Sequence, residues 1–161
     1  MPIKPNAKIY SMVFKACAKI DNERGRNIGT QLVDIIISEK ITNEITLTSA
    51  ISMLINFSDI NCAEQLFRLI QHKSVLIYTI MMSGYVRNDK LLRCKQCFQQ
   101  MKQESTFSKV DIYASILKIC AQRGTPSFYQ SITDEIPADL CNNSQILSAQ
   151  IDVLVSIHHC N

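Results

Sequence analysis

Cys94 and Cys97 form the only C-x-x-C in the chain. That spacing serves zinc sites and dithiol redox pairs. A structural zinc site needs a second pair at matching distance, and none follows. His158, His159 and Cys160 carry ligand chemistry but have no partner pair at a standard spacing. His72 stands beside Lys73 and is expected on the surface. Three histidines, dispersed carboxylates and no glycine-rich phosphate loop leave no nucleophile–base–orienter set. The chemistry these residues offer is binding rather than catalysis. No cofactor, no metal and no small-molecule substrate are expected.

The seven cysteines are odd in number and scattered. With no secretory leader at the N-terminus, they fit a reducing compartment, where free cysteine acts as a small core hydrophobe. The Asn-x-Ser triplets at Asn56 and Asn142 are then inert. No run approaches the roughly 18 apolar residues of a membrane span, so no membrane contact is expected. Of 161 residues, 47% are hydrophobic and 19% charged, with 4 Gly and 4 Pro. That balance excludes a disordered chain and favours an all-α one. A net charge of +3 permits a phosphate-bearing partner without requiring one.

The elements that must position any binding group are visible as a recurring apolar stripe. It occupies Tyr10, Val13, Phe14 and Cys17, then Leu47, Ala50, Ile51 and Leu54. It returns at Tyr78, Met81, Met82 and Tyr85, and at Tyr113, Ile116, Leu117 and Cys120. A fifth copy is Leu147, Gln150, Ile151 and Leu154. The spacing i, i+3, i+4, i+7 is one face of an α-helix. Stripe starts lie 37, 31, 35 and 34 residues apart. The best self-match sets "IYSMVFKACAK" from Ile9 against "IYASILKICAQ" from Ile112.

A second helix is predicted between stripes, clearest at Ala63, Leu66, Phe67 and Ile70 and at Cys94, Cys97, Phe98 and Met101. In the first unit Ile28, Leu32, Ile35 and Ile36 are assigned that part. Polar breaks at Asp21-Asn22, Ser58-Asp59, Asn88-Asp89 and Gly124-Thr125-Pro126 separate the helices and can cap the helix that follows. Pro126 suits a first-turn position. One hairpin cannot bury its own apolar faces, whereas a stack of them can. The predicted fold is all-α, a right-handed α-solenoid of about four and a half helix-turn-helix repeats. Its units are residues 7–43, 44–74, 75–109, 110–143 and a partial 144–161.

Three stretches resemble the pentatricopeptide repeat family. "PNAKIYSMVFKACA" is similar to its "PD..TF..VLKACA" segment, "ISMLINFSDINCAEQLF" to "I.MY.KCGDI..A..VF", and "VLIYTIMMSGYVRND" to "VVSWN.MISGY..NG". The steps of 37, 31 and 35 resemble the long, short and standard repeats of the variable-length class found in plant organelles. The resemblance covers residues 5 to about 124. Departures are Tyr78 where that class often has tryptophan, Ser58 and Asp89 in place of loop glycines, and Pro137 inside the fourth unit's second helix.

The resemblance implies sequence-preferring binding of single-stranded RNA, one base per repeat, read by two or three side chains. The pair comprises the residue after the stripe start and the last residue of the unit. Carried over, these are Ser11 with Asn43, Thr48 with Ser74, Thr79 with Lys109, and Ala114 with Asn143; Ser148 begins a fifth. Lys8, Ile45, Leu76, Asp111 and Gln145 stand where a residue would flank the base. Ile45 and Leu76 suit stacking, while Asp111 would repel phosphate. A hydroxyl with an amide, as at Ser11 and Asn43, is the family's combination for adenine over guanine.

By the same resemblance the expected role is processing, stability or editing of organelle transcripts. Other RNA-processing proteins are candidate partners. The location is mitochondrial or another organelle, although the first residues lack an Arg-rich transit pattern; a cytoplasmic location is the alternative. The competing function is a tetratricopeptide-type scaffold for protein–protein interaction. That repeat asks for Trp-x-x-Leu-Gly-x-x-Tyr, and this chain has no Trp.

Overall fold

The computed structural model describes residues 5–20, 22–123 and 126–159. All regular structure among them is helical. Two compact units divide the chain, Met1–Lys73 and Ser74–Asn161.

The first unit contains α1 (Ala7–Ile20), α2 (Glu23–Ser38), α3 (Glu44–Asn56) and α4 (Ile60–Leu69). α1 packs on α2 and α3 packs on α4, giving two hairpins joined through α1 and α3. The second unit contains α5 (Val75–Arg87), α6 (Leu91–Gln103), α7 (Lys109–Arg123), α8 (Pro126–Thr133), a 3-10 turn at Ala138–Leu140, and α9 (Ser144–His159). Here α5 packs on α6 and on α7, and α7 on α8 and α9. The fold class is the all-α helical-hairpin type that the stripes predict.

Helix starts follow side-chain capping. The side-chain carbonyl of Asn22 accepts from Gly25 N at 2.9 Å, that of Asn43 from Thr46 N at 3.2 Å, and the Asp59 carboxylate from Cys62 N at 3.1 Å. Each such cap stabilises its helix by about 1 kcal/mol. Pro126 opens α8, where its missing N–H has no cost. Asp21 and Gly124-Thr125 of the predicted breaks lie outside the described residues. Asn88-Asp89 departs from expectation. α6 starts at the N-cap Lys90, and Asn88 instead donates its amide to Gly84 O at the end of α5. Asn88 is the C-cap of α5, which ends at Arg87, and α6 begins only at Leu91, too far on for Asn88 to be its cap.

Three helices end in one motif. Lys40, Ser58 and Asp89 have φ of 52°, 60° and 56°. Around each, two backbone bonds close the helix, as in Asp59 N to Leu54 O at 2.9 Å and Ser58 N to Ile55 O at 3.0 Å. The left-handed residue lets these N–H groups reach back to carbonyls the helix leaves unpaired. Glycine normally fills that place, and this chain uses none there.

The first four stripes are buried in the register predicted, with Val13 half-covered and every other member in the core. Leu47, Ala50, Ile51, Met81, Met82, Ile116 and Leu117 are all fully enclosed. Burying each large aliphatic side chain contributes roughly 1.5–3 kcal/mol. Ala63, Leu66, Phe67 and Ile70 are buried in unit one, and Cys94, Cys97, Phe98 and Met101 in unit two.

Two stripes differ. In α2, Ile28 and Ile35 are each 41% exposed, while Gly25, Gly29, Val33 and Ile36 face the core. The glycines decide the rotation. A Cβ on Gly29 would run into the Met53 side chain, and one on Gly25 would lie 3.0 Å from the Cys17 carbonyl oxygen. α2 turns its smallest residues inward so that its backbone approaches α1 and α3. In α9, Leu147, Ile151 and Leu154 are 42%, 59% and 45% exposed. Ile146, Ala149 and Val153 are buried instead. α9 packs on α7 through that neighbouring face, and no described helix follows it to cover the predicted stripe.

The fourth second helix, expected to contain Pro137, ends at Thr133, and Pro137 instead precedes the 3-10 turn. Beyond α8, Glu135 ties the segment down. Its carboxylate accepts from Lys102 Nζ at 2.9 Å and Gln99 Nε2 at 3.2 Å, and its backbone carbonyl accepts from Tyr113 OH at 2.7 Å. The Lys102 hydrogen bond holds the Glu135 carboxyl below the usual carboxylate range, against the opposing push of burial.

Candidate nucleic-acid interface

The predicted reading positions sit on α1, α3, α5, α7 and α9, one residue past the first stripe member. Helical geometry places such a residue about a quarter turn from the core-facing stripe. Their exposures differ. Thr48 and Thr79 are half-buried and Ser148 is exposed. Ala114 is 8% exposed and Ser11 7%.

Two of these hydroxyl protons are already committed. Thr79 Oγ1 donates to Val75 O at 2.8 Å, one turn back in its own helix. Ser11 Oγ lies 2.8 Å from Ser49 Oγ across the α1–α3 seam. Ser49 Oγ also lies 2.8 Å from Ile45 O, which can only accept. A hydroxyl has one proton. Ser49 gives its proton to that carbonyl, so Ser11 donates to Ser49. Ser11 and Thr79 are thereby left with lone pairs, as acceptors. In the second unit Ser83 Oγ donates to Gln122 Oε1 at 2.7 Å between α5 and α7. Ser49, Ser83 and Gln122 were not legible as partners, because their pairing depends on how neighbouring helices are aligned.

The junction residues act as helix caps. Asn43 is exposed and caps α3 through its side-chain carbonyl. Asn143 is half-buried, and its side-chain carbonyl accepts from Gln145 N at 2.9 Å and Ile146 N at 3.4 Å at the start of α9. Both therefore have their amide hydrogens left to present. Ser74 is the N-cap of α5 but makes no side-chain cap bond. Lys109 is exposed at the first residue of α7. Of the flanking residues, Ile45 and Leu76 are 62% and 60% exposed, among a number of large apolar side chains on the described surface. Lys8, Asp111 and Gln145 are also exposed. Asp111 accepts from the Ser108 hydroxyl at 2.6 Å.

Some of these residues are brought together. One open groove between α7 and α9 is lined by Asp111, Ala114, Lys118, Gln145, Ser148 and Asp152, among others. It unites the fourth and fifth reading positions with both of their flanking residues. Asn43 lines a separate groove with Tyr10, Glu39 and Thr46, and Ser11 is not among its walls.

The C-x-x-C lies inside the core of α6. Cys94 is fully buried and Cys97 nearly so. Burial pushes the Cys94 thiol far above its ordinary value and that of Cys120 up to about 12. Metal binding and redox exchange both need the thiolate. Among the described residues no three ligating side chains are grouped to hold a metal. His72, His158 and His159 are exposed, and Cys160 lies outside the described residues. No described helix is long and apolar enough to cross a membrane.

A family model described as PPR repeat matches residues 76–105, which spans nearly all of α5, its turn and α6. The chain is 25% identical over 115 residues to the mitochondrial pentatricopeptide repeat-containing protein At2g03380 of Arabidopsis thaliana. It is 24% identical over 123 residues to At4g16470, and 26% identical over 123 residues to the chloroplastic At3g49170, both pentatricopeptide repeat-containing proteins of the same plant. These alignments cover 71%, 76% and 76% of the chain. Residues 76–105 thus match one PPR repeat, and over about three quarters of its length the chain is similar to pentatricopeptide repeat proteins. It spans only 16%, 24% and 14% of the length of those three relatives. In the matched hairpin Tyr78 occupies the first stripe position, and its hydroxyl donates to Glu104 Oε1 at 3.1 Å. That bond ties the start of α5 to the end of α6.

Proposed function

We propose that this chain binds single-stranded RNA with base preference through the polar faces of its first helices, without catalysis of its own. The observation that carries this reading is the recurrence of Ser11, Thr48 and Thr79 at one register, with the exposed apolar side chains of Ile45 and Leu76 at the flanking register. Small polar groups can contact a base edge while an apolar side chain stacks on its face. We assign the repeats to residues 7–43, 44–74, 75–109, 110–143 and 144–161, in the variable-length arrangement of the plant-organelle class. The proposed setting is an organelle, in keeping with the mitochondrial and chloroplastic relatives, and the proposed task is processing, stabilising or editing a transcript.

Ser11 and Asn43 form the proposed reading pair of the first repeat. Ser11 offers an acceptor and Asn43 offers amide donors. Adenine presents a donor, its exocyclic amine, beside an acceptor, N1, which complements that pair. The function is tested by fluorescence anisotropy of random-sequence single-stranded RNA across a salt series. A phosphate-tracking binder loses affinity linearly on log–log axes. A tetratricopeptide-like scaffold for protein partners shows no such RNA binding at any salt, and that result would end the RNA reading.

A further inference from the structure

The first hairpin carries two apolar stripes outside its core. On α1, Ile9, Val13, Ala16 and Ile20 recur at i, i+4, i+7 and i+11. Ile9 and Ile20 are 47% and 53% exposed, Ala16 is exposed and Val13 half-covered. On α2, Ile28, Leu32 and Ile35 recur at i, i+4 and i+7, with both isoleucines exposed and Leu32 half-buried. Each spacing follows one face of its helix. Both stripes are turned away from α3. Ser11, which meets Ser49 of α3, lies about half a turn around α1 from Ile9 and Ile20. Gly29 of α2 faces Met53 of α3, and Ile28 and Ile35 stand about a third of a turn from it, on the same side. The hairpin thus presents one apolar face on which four isoleucines are more than 40% exposed. A contiguous apolar patch of this kind marks an interaction surface.

The pattern is self-complementary. The midpoint of the α1 stripe falls between Phe14 and Lys15, and that of the α2 stripe between Gln31 and Leu32. A Cβ on Gly29 would stand 3.7 Å from the Cys17 Cβ. Cys17 lies as far past the first midpoint as Gly29 lies before the second. Since α2 packs back on α1, the two run antiparallel and both midpoints stand at one level. A two-fold axis across the face at that level sets each helix antiparallel to its own copy. It brings Ile9 to Ile20, Val13 to Ala16 and Ile28 to Ile35 of the second copy. The charged ends of α2 match by the same operation. Arg24 meets Glu39, and Glu23 meets Lys40, of the second copy, and all four are exposed. No like charges oppose each other along α2. An apolar centre with a polar rim is the anatomy of a specific interface.

We infer that this face of the first hairpin is a homodimer surface, on which two copies of the chain pack α1 on α1 and α2 on α2 about one two-fold axis. It is independent of the RNA-binding function, because the reading position Ser11 lies on the opposite side of α1. One hairpin face is small for a stable interface, so a dissociation constant on the order of tens of micromolar is expected.

The test is sedimentation equilibrium of the full chain in reducing buffer without RNA, from about 1 to about 300 µM. The mass should rise toward twice that of one chain. The double variant Ile28→Glu, Ile35→Glu should weaken association at least about tenfold. Arg24→Glu and Glu39→Arg should each weaken it about three- to tenfold. The two together should restore it, because each pair is then reversed but still opposite in sign.

Circular dichroism matched to wild type confirms that each variant folds. A wild type that stays monomeric throughout overturns the inference. So does a dimer untouched by Ile28→Glu with Ile35→Glu. So does one abolished instead by Leu147→Glu with Ile151→Glu, which places the contact on the exposed face of α9. A combined charge reversal no tighter than either single one overturns the antiparallel register and the inference with it. Growth beyond two copies overturns it too, since a two-fold contact closes on itself.

Discussion

Ser58→Gly should make the protein more stable, although it removes a side chain and adds a flexible residue. Ser58 lies at the turn between α3 and α4 with φ of 60°. A residue with a Cβ in that region suffers a clash with the neighbouring carbonyl, at a cost of about 1–2 kcal/mol. Glycine removes the clash. It also gives the unfolded chain more freedom, which opposes folding by roughly 0.5–1 kcal/mol. The two backbone bonds through Ser58 N and Asp59 N are retained, as is the Asp59 cap on α4. Ser58 is exposed, so little packing is lost. The net gain should be about 0.5–1 kcal/mol.

The assay is urea unfolding followed by circular dichroism, with the midpoint rising and the m-value unchanged. Ser58→Ala is the comparison, because alanine keeps the Cβ and should gain nothing. Lys40→Gly, at φ of 52° in the same unit, should add a similar gain, since the two turns share no hydrogen bond. If Ser58→Gly matches or falls below Ser58→Ala, backbone strain at this turn is not the governing term.

Further outcomes follow from the core and its one charged hub. Gly29→Val should destabilise by about 1–3 kcal/mol, because the new side chain must displace the buried Met53; thermal unfolding reads this, and an unchanged midpoint would mean Met53 moves freely. The Glu135 carboxyl has a depressed pKa in the folded protein. Its contribution is therefore present above the unfolded carboxylate value, near pH 4.3, and lost as pH falls below it. Glu135→Gln should cost about 1 kcal/mol at neutral pH, and its difference from wild type should shrink in acid; a difference independent of pH would count against the ionic role. A maleimide should label exposed Cys141 in the native protein long before Cys94, Cys97 and Cys120, with those three reacting only on unfolding; early labelling of Cys94, read by peptide mass, would contradict its burial.

Local pattern determined the helices of this protein. A stripe at i, i+3, i+4, i+7 specifies a helix and its buried face whenever helices lie on both sides, as at Leu47 to Leu54 and Tyr113 to Cys120. The caps Asn22 and Asp59 were legible too, because a short Asx side chain just before a helix reaches the N–H three residues ahead. The hydroxyl and amide register that makes RNA the proposed ligand is likewise a property of the sequence and of the resemblance it carries.

Tertiary structure decided what depends on a neighbour. Two glycines turned α2 so that Ile28 and Ile35 point outward, since close approach to Met53 and the Cys17 carbonyl outweighs burial of two isoleucines. α9 buried Ile146 and Val153 rather than Ile151 and Leu154, because that is the face it packs on α7, its main partner among the described helices. Asn88 served the helix behind it rather than the one ahead. Ser11 is left as an acceptor because its own hydroxyl proton is donated in a hydrogen bond to Ser49, 38 residues away. Periodicity specifies which faces of a helix are apolar. Which of them is covered, and which polar atoms remain free, is set by the packing of helices distant in sequence.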